Sequence, residues 1–485
     1  MQFVNKNFFI NVFSISVILI ALKSTQPATA QDESTTWDLE NCIDHAWNNN
    51  LQLQQQKLSV DLARENLSQN KASRYPSLNA SASHAYNFGR TVDPFTNQFA
   101  TESVQSNNFS VNSGMSLFGG FQITNSIKES EMELEATRYD LEKTYNDIAL
   151  SVASAYLQVL FAEELVNNAR NQLEISNQQV ERTQKLVDAG TLPRGSLLTI
   201  EAQQATEELQ LVNAQNQLDL AYLSLRQILF LPEDQDFRID SPELEIDPQQ
   251  DPDQSPLEVY QTAVNQQPEI KSADLRISGA EKSLMVAKGG RSPNLSMRAS
   301  YGTGYSGASL EVTDVVQLDE PVPIGMTESG EVVFGPDFET QTRVKPFSDQ
   351  LSDNLNRSIG FFLTIPVFNN LQTKSTISRS KINLENAKLQ SKIVREQLFQ
   401  TIQQAHADAT AALKRFTSTD KNVQALEESF RYTEQRFNVG LVNSVEYNDA
   451  KNRLNAAESE RLQAKYEYIF RMKILDFYLG NPLRL

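Results

Sequence analysis

The sequence predicts a mainly α-helical protein with a transmembrane β part and an internal twofold repeat. Three observations carry that prediction. The second half of the 485-residue chain repeats the first at an offset of 250 positions, without a gap over about 115 residues. Two very long stretches hold one heptad phase, and four stretches of about ten residues alternate apolar with polar.

The repeat pairs Phe118 with Phe368, Gly119-Gly120-Phe121 with Asn369-Asn370-Leu371, Ala155-Tyr156 with Ala405-His406, Gly190 with Gly440, Ala214 with Ala464 and Pro232 with Pro482. Most pairs are similar rather than identical, so the copies share a pattern of apolar and small residues, the mark of a shared fold. Upstream, Leu39 to Ala46 resembles Leu257 to Ala263, and Tyr75-Pro76-Ser77-Leu78 matches Ser292-Pro293-Asn294-Leu295 at an offset of 217. About 33 residues are therefore inserted between Pro293 and Phe368, where Gly307 to Phe347 is acidic and rich in Gly and Pro. A long irregular surface loop is expected there; residues 307–357 are most economically an extracellular loop, with a fold-back into the barrel mouth as the alternative.

At the N-terminus Lys6 precedes an apolar run from Phe8 to Leu22, and Ala28-Thr29-Ala30 supplies small residues at a cleavage site. Residues 1–30 read as a signal peptide cut after Ala30, with Ala28 at the other small position. The run is short for a membrane-spanning helix, which needs about 20 residues, and no later segment reads as long and apolar enough to serve. The 61 acidic residues outnumber 43 basic ones, for a formal charge of −18. That balance argues against nucleic acid, which demands clustered Lys and Arg. Cys42 is the only cysteine, so no intrachain disulfide exists.

Long helix dominates the exported part. From Leu141 the positions Tyr145, Ile148, Val152, Ala155, Val159, Ala162, Val166, Ala169, Leu173, Ser176, Val180, Thr183 and Val187 form an unbroken seam of alternating three- and four-residue steps. The second copy keeps the phase through Leu398, Ile402, Ala405, Ala409, Ala412, Phe416, Val423, Leu426, Phe430 and Phe437. A helix from about Thr124 to Ala189 would be about 100 Å long at 1.5 Å per residue. Each long helix stops at a glycine, Gly190 or Gly440, suited to a left-handed cap, and a returning helix follows. The expected hairpins cover about 122–230 and 372–479, with both tips at one end of the molecule.

The alternating stretches lie at about 77–88, 108–118, 294–305 and 358–368. Leu78, Ala80, Ala82, His84, Tyr86 and Phe88 alternate with Asn79, Ser81, Ser83, Ala85 and Asn87, and the other three follow suit. Ten residues suffice for a tilted strand to cross a bilayer, and a face of Ser, Asn and Gly suits a wet lumen. Four strands cannot close a barrel, and an open edge cannot face lipid. If they span a membrane, several chains build one barrel.

Leu117-Phe118-Gly119-Gly120, Pro366-Val367-Phe368-Asn369-Asn370 and Arg436-Phe437-Asn438-Val439-Gly440-Leu441-Val442, together with the repeat, resemble the TolC-like outer-membrane efflux proteins, the outer membrane factor family. The resemblance covers nearly all of the mature chain, with 31–232 and 256–485 as two outer-membrane-efflux repeats and 233–255 as an extended linker about midway along the tunnel. Phe88 to Pro94 is similar in composition to Bacteroidetes members. The resemblance implies a homotrimer with a shared 12-stranded outer-membrane β-barrel and a 12-helix periplasmic tunnel. It implies the exit duct of a tripartite efflux or secretion system, whose partners are a periplasmic adaptor, an inner-membrane pump and outer-membrane lipid.

Site residues follow from the same resemblance. The tips at Gly190, Thr191 and Leu192, and at Gly440, Leu441, Val442, Asn443 and Ser444, look like adaptor-docking ends. Glu446 and Asp449 match acidic positions that ring the tunnel entrance, although acids are also favoured at any solvated helix N-terminus. Where family members carry polar latches, this chain has Phe437, Val442 and Ser196, so hydrophobic tip packing and the acidic ring are expected to govern opening.

No enzyme chemistry is legible. His45, His84 and His406 are scattered, without metal-ligand spacing, a phosphate-binding glycine loop or a nucleophile elbow, so neither catalytic residue, metal nor cofactor is expected. A periplasmic coiled-coil scaffold would explain the heptads but leave the strands without a role. Drug efflux, type I protein secretion and metal export remain open, with the lack of Met or His clusters arguing against a dedicated copper duct.

Overall fold

The computed structural model describes residues 36–93, 95–100, 103–232, 237–242, 255–481 and 483. The signal peptide with Ala28 and Ala30, and most of the 233–255 linker, lie outside the described residues.

Local capping sets the N-terminal elements. After β1 (Thr36–Trp37), α1 (Leu39–Asn49) opens on Asp38, whose carboxylate accepts the Asn41 N–H at 2.7 Å. Asn50 closes α1 and caps α2 (Leu51–Ala72), its side-chain oxygen accepting the Gln52 and Leu53 N–H groups at 2.8 and 3.2 Å. β2 (Ser77–Asn87), the two-residue ladder of β3 (Thr91–Val92) and β4 (Phe99–Ala100), and β5 (Val104–Gly119) follow, then α3 (Gln122–Asp188) and α4 (Arg194–Leu229). β6 (Arg238–Ile239) pairs parallel with β1.

The second copy opens with α5 (Pro256–Gln266), where Ser255 and Glu258 form a capping box, and α6 (Pro268–Gly289). Then come β7 (Asn294–Ser306), β8 (Leu310–Met326), β9 (Val332–Val344), α7 (Phe347–Asp353), β10 (Asn356–Thr364), α8 (Gln372–Asn438) and α9 (Ser444–Tyr478). Both α3 and α8 have 67 residues, and they begin 250 positions apart. Each is entered through two consecutive left-handed residues, Gly120 and Phe121 (φ 60° and 61°) or Asn370 and Leu371 (φ 53° and 62°). Gly and Asn tolerate that region best, which is why this pair interchanges in the repeat. Gly120 has a second constraint: an added Cβ would lie 2.5 Å from the carbonyl oxygen of Gly289.

The four long strands form one antiparallel sheet in the order β10-β7-β5-β2, so the two copies join through β5 and β7 and leave β2 and β10 as edges. The predicted fourth strand, to residue 368, ends earlier, at Thr364. Pro366 lacks the N–H that a ladder needs.

The heptad seam forms the core. Ile148, Val152, Ala155, Val159 and Ala162 of α3 are buried with α1, the end of α4 and Leu462, Tyr466 and Ile469 of α9. Here one sequence expectation fails, because an 18-residue window of α3 is apolar enough to cross a membrane. Half of that window is buried inside the chain, so its hydrophobicity serves helix packing. Phe237 and Ile239 of the linker join this core, and the Tyr156 hydroxyl donates to Asp240 O at 2.6 Å. Cys42 is fully buried beside it, and burial together with the nearby Asp38 carboxylate pushes its thiol up to about 12.

The insertion departs most from expectation. Instead of an irregular loop, β8 and β9 form a long two-stranded antiparallel ribbon, followed by the short helix α7. Its root is built around Gln350, whose side chain accepts the Ser306 N–H (2.9 Å) and donates to the carbonyls of Ser306 (3.0 Å) and Lys345 (2.8 Å). The Ser306 hydroxyl donates in turn to buried Asp93. Burial opposes ionisation of Asp93, but bonds from Ser306, Thr96 and Phe95 outweigh it and hold the carboxyl below its usual range.

Candidate functional site

Strand register separates the sheet into two chemically distinct faces. Leu78, Ala80 and Ala82 of β2 share a face with Val111 and Phe109 of β5, Tyr301 and Met297 of β7, and Ile359, Phe361 and Leu363 of β10. The opposite face carries Asn79, Ser81, Ser110, Asn112, Ser300 and Ser358. Its side chains bond across strands, with Ser81 Oγ 2.8 Å from Ser110 Oγ and Ser300 Oγ donating to Asn112 Oδ1 at 2.9 Å, and along β5, where Asn112 Nδ2 donates to Ser110 Oγ at 3.1 Å. Arg298 sits on this polar face with its guanidinium 5.1 Å from the Phe362 ring centroid. Leu78 and Ile359, each 74% exposed, show that the apolar face has no cover among the described residues. A sheet mainly apolar on one side, polar on the other and open at both edges has the pattern of a segment of barrel wall.

The helical hairpins turn far from this sheet. At the first tip Gly190 (φ 74°) donates its N–H to Val187 O at 2.9 Å, and Thr191 N and Oγ1 both donate to Leu186 O, at 2.9 and 2.7 Å. At the second, Gly440 (φ 77°) donates to Phe437 O at 3.0 Å and Leu441 to Arg436 O at 2.8 Å. These bonds satisfy the last carbonyls of α3 and α8. Asn443 starts α9 by accepting the Val445 and Glu446 N–H groups, both at 3.0 Å. Arg182 Nη1 donates to Asn438 Oδ1 at 2.7 Å, tying the two tips to one end of the molecule.

The named tip residues divide by exposure. Gly190, Thr191, Gly440, Leu441 and Asn443 are exposed, Leu192 is half-buried, and Val442 and Ser444 are buried. Val439 and Leu441 are each 70% exposed, an apolar pair at the end of the rod. Behind them Phe437 stacks on Tyr447 with centroids 4.7 Å apart, and Ser196 is half-buried. Burial, with the Glu434 and Glu207 carboxylates, pushes the Tyr447 phenol up to about 12. Glu446 and Asp449 are both exposed on α9, one turn apart, and Asp449 is paired with Arg453 at 3.0 Å.

One cluster was not foreseen. Lys451 of α9 is buried with its Nζ 2.9 Å from Glu207 of α4, and it donates to Ser176 Oγ of α3 at 2.7 Å. Gln203 Nε2 donates to the same carboxylate at 3.0 Å and to Asn452 Oδ1 at 2.6 Å. The cluster bolts the second hairpin to the first, just behind the tips. The histidines are dispersed on α1, β2 and α8, and among the described residues no three His, Cys, Asp or Glu side chains gather as metal ligands would.

Comparison with known proteins decides what wall and rod together amount to. The family described as outer membrane efflux protein matches residues 42–229 and 259–481. The chain belongs to the outer membrane efflux protein family. It is 21% identical to the outer membrane efflux protein BepC of Brucella suis biovar 1 (strain 1330), over 87% of this chain and 81% of that one. It is also 21% identical to the outer membrane protein TolC of Escherichia coli (strain K12), over 89% and 80%. The solved structure of the outer membrane protein VceC from Vibrio cholerae shares the fold with a TM-score of 0.70, at 16% identity over 92% of this chain and 96% of that one.

The efflux protein resides in the outer membrane, with its helices reaching into the periplasm, and is the outer channel of a tripartite system with an adaptor and an inner-membrane pump. It works as a homotrimer. The edges of β2 and β10 would otherwise present unpaired backbone groups to lipid, each costing several kcal/mol, and three four-stranded sheets supply a closed wall of twelve strands.

Proposed function

We propose that the chain is one third of a passive exit duct, with the hairpin tips as its adaptor-docking end and Glu446 as the principal acid of its entrance. The observation that carries this reading is the pair of exposed apolar side chains, Val439 and Leu441, at the far end of helices 67 residues long. An apolar residue held out on a rigid turn is an anchor for another protein surface. Gly190, Thr191 and Leu192 supply the equivalent turn of the first hairpin, and Asn443 completes the second. Buried Val442 and Ser444 hold the turn in shape from behind.

On this reading each repeat, 31–232 and 256–485, gives one strand pair to the wall and one hairpin to the entrance, and 233–255 joins them at the girth. The Ser and Asn lining, with Arg298 as a basic group on the same face, suits polar solutes of varied chemistry. The chain's own residues carry out no chemical step, and the energy for transport comes from the pump. Phe437 stacked on Tyr447 keeps the closed entrance packed.

A photo-reactive amino acid placed at Leu441, and in a second variant at Leu220 in α4, tests docking in membranes that contain the adaptor. Adduct with the adaptor is expected from position 441 and not from 220. Equal capture at both, or none at 441 in an otherwise intact complex, would remove the tips from the docking role.

A further inference from the structure

The β8–β9 ribbon carries a surface with no partner among the described residues of its own chain. Strand β9 has no bulge, so its alternation defines two faces: Val332, Phe334, Phe338 and Val344 on one, and Asp337, Glu339 and Arg343 on the other. Register places Leu310 and Val315 with the apolar set and Glu311 and Asp314 with the charged one. Every paired residue of the first face is uncharged. From Val312 to Met326 each β8 residue is exposed, and Phe334 and Phe338 are 59% and 54% exposed. A lone two-stranded ribbon is marginal in water, and an exposed apolar strip of this length calls for a cover.

We propose that the cover is the same face of the neighbouring copies, so that three ribbons pack apolar side inward over the outer mouth of the barrel. The idea rests on the trimeric channel and follows from continuity with its seam. The ribbon joins β7 to β10, and β10 is the edge that must pair with the next copy. Its root, fixed by Gln350 and Ser306, stands at the end of β7 away from the helices.

Thirteen residues of β9 reach about 44 Å at 3.4 Å per residue, ample for three ribbons rooted on one rim to meet. No paired residue of the inward face brings a charge into the contact, and Asp319 and Glu320 lie in the irregular stretch between Leu318 and Val322, outside the paired register. Residues 310–344 hold eight carboxylates and one arginine, a balance that opposes contact with an anionic lipid surface and discourages association beyond the trimer. Repulsion between the acidic outer faces is screened by salt over about 8 Å at physiological ionic strength, so the contact tightens as salt rises.

The test uses the full chain in its membrane with Phe338→Cys and, as a control one residue along on the other face, Glu339→Cys. Cys42 is fully buried and does not compete. A short bismaleimide is expected to join Phe338→Cys chains in pairs, with a yield that rises with salt, and to leave Glu339→Cys chains single. Native mass spectrometry of the same extracts counts the subunits. Three subunits with no coupling through position 338, or with equal coupling at both positions, would overturn the ribbon contact alone. Labelling of position 338 by a lipid-phase probe would assign the face to lipid and also overturn it. Fewer than three subunits in the unmodified protein would overturn the trimer and the contact with it.

Discussion

Lys451 shows how much one side chain contributes to joining the two hairpins. Its ammonium and the Glu207 carboxylate are 3% and 1% exposed, so neither is solvated by water, and each depends on the other and on Ser176 and Gln203. Removing one partner strands the other charge in the interior, a change that costs about 3–5 kcal/mol, whereas replacing both with apolar residues is often near neutral. Lys451→Met is therefore expected to lower the Tm of the helical tunnel strongly, and Lys451→Met with Glu207→Leu to recover most of the loss. Thermal melts of the trimer followed by circular dichroism read the difference. If the double variant melts no higher than the single one, the pair is not an isolated lock. The sequence gives no local sign of this contact. A lysine and a glutamate 244 positions apart on polar helices read as solvated, and only the packing of α3, α4 and α9 brings them together.

At the scale of elements, turns decide where the rods begin and end. The strand-to-helix turn at Gly120 and the hairpin tip at Gly190 both require positive φ, but their surroundings differ. A Cβ at Gly190 meets nothing within 4 Å, while one at Gly120 would lie 2.5 Å from a backbone carbonyl. Gly190→Ala should cost about 1 kcal/mol, the usual strain of a left-handed L-residue. Gly120→Ala adds overpacking, about 1–3 kcal/mol more, so its Tm should fall below that of Gly190→Ala; the reverse order would refute the close approach to Gly289. These turns were legible because Gly or Asn recurs at matched positions, and the seam was legible because burial follows its heptads through Ile148, Val152 and Val159. The ribbon was not. Pro321, Pro323, Pro336, Gly325 and Gly330 read as breakers, yet irregularities between Val312 and Asp314, Leu318 and Val322, and Pro323 and Gly325 absorb the mismatch without ending the ladder. Nor could a single pattern tell which tip residues are free, because burial of Val442 and Ser444 depends on packing across the two hairpins.

For the whole molecule, threefold symmetry turns single side chains into rings, and here the two acids of α9 part company. Asp449 is already matched by Arg453 at 3.0 Å, so three copies of that pair add little net charge, while Glu446 has its charge exposed in the first turn of the helix. A divalent cation about 8 Å from a carboxylate gains about 1 kcal/mol at the dielectric constant of water, so three copies of Glu446 would strengthen cation block about a hundredfold before screening by salt. Glu446→Gln should therefore weaken block by divalent cations in single-channel records by at least about tenfold. If Asp449 shares the proposed entrance, Arg453→Gln should act in the opposite sense, because it would release three carboxylates there. Both shifts should shrink as ionic strength rises, since these groups are exposed. Unchanged block in Glu446→Gln would place the carboxylates away from the conduction path, on the outer surface of the tunnel. In that event only the packing around Phe437 and Tyr447 would remain to hold the entrance closed.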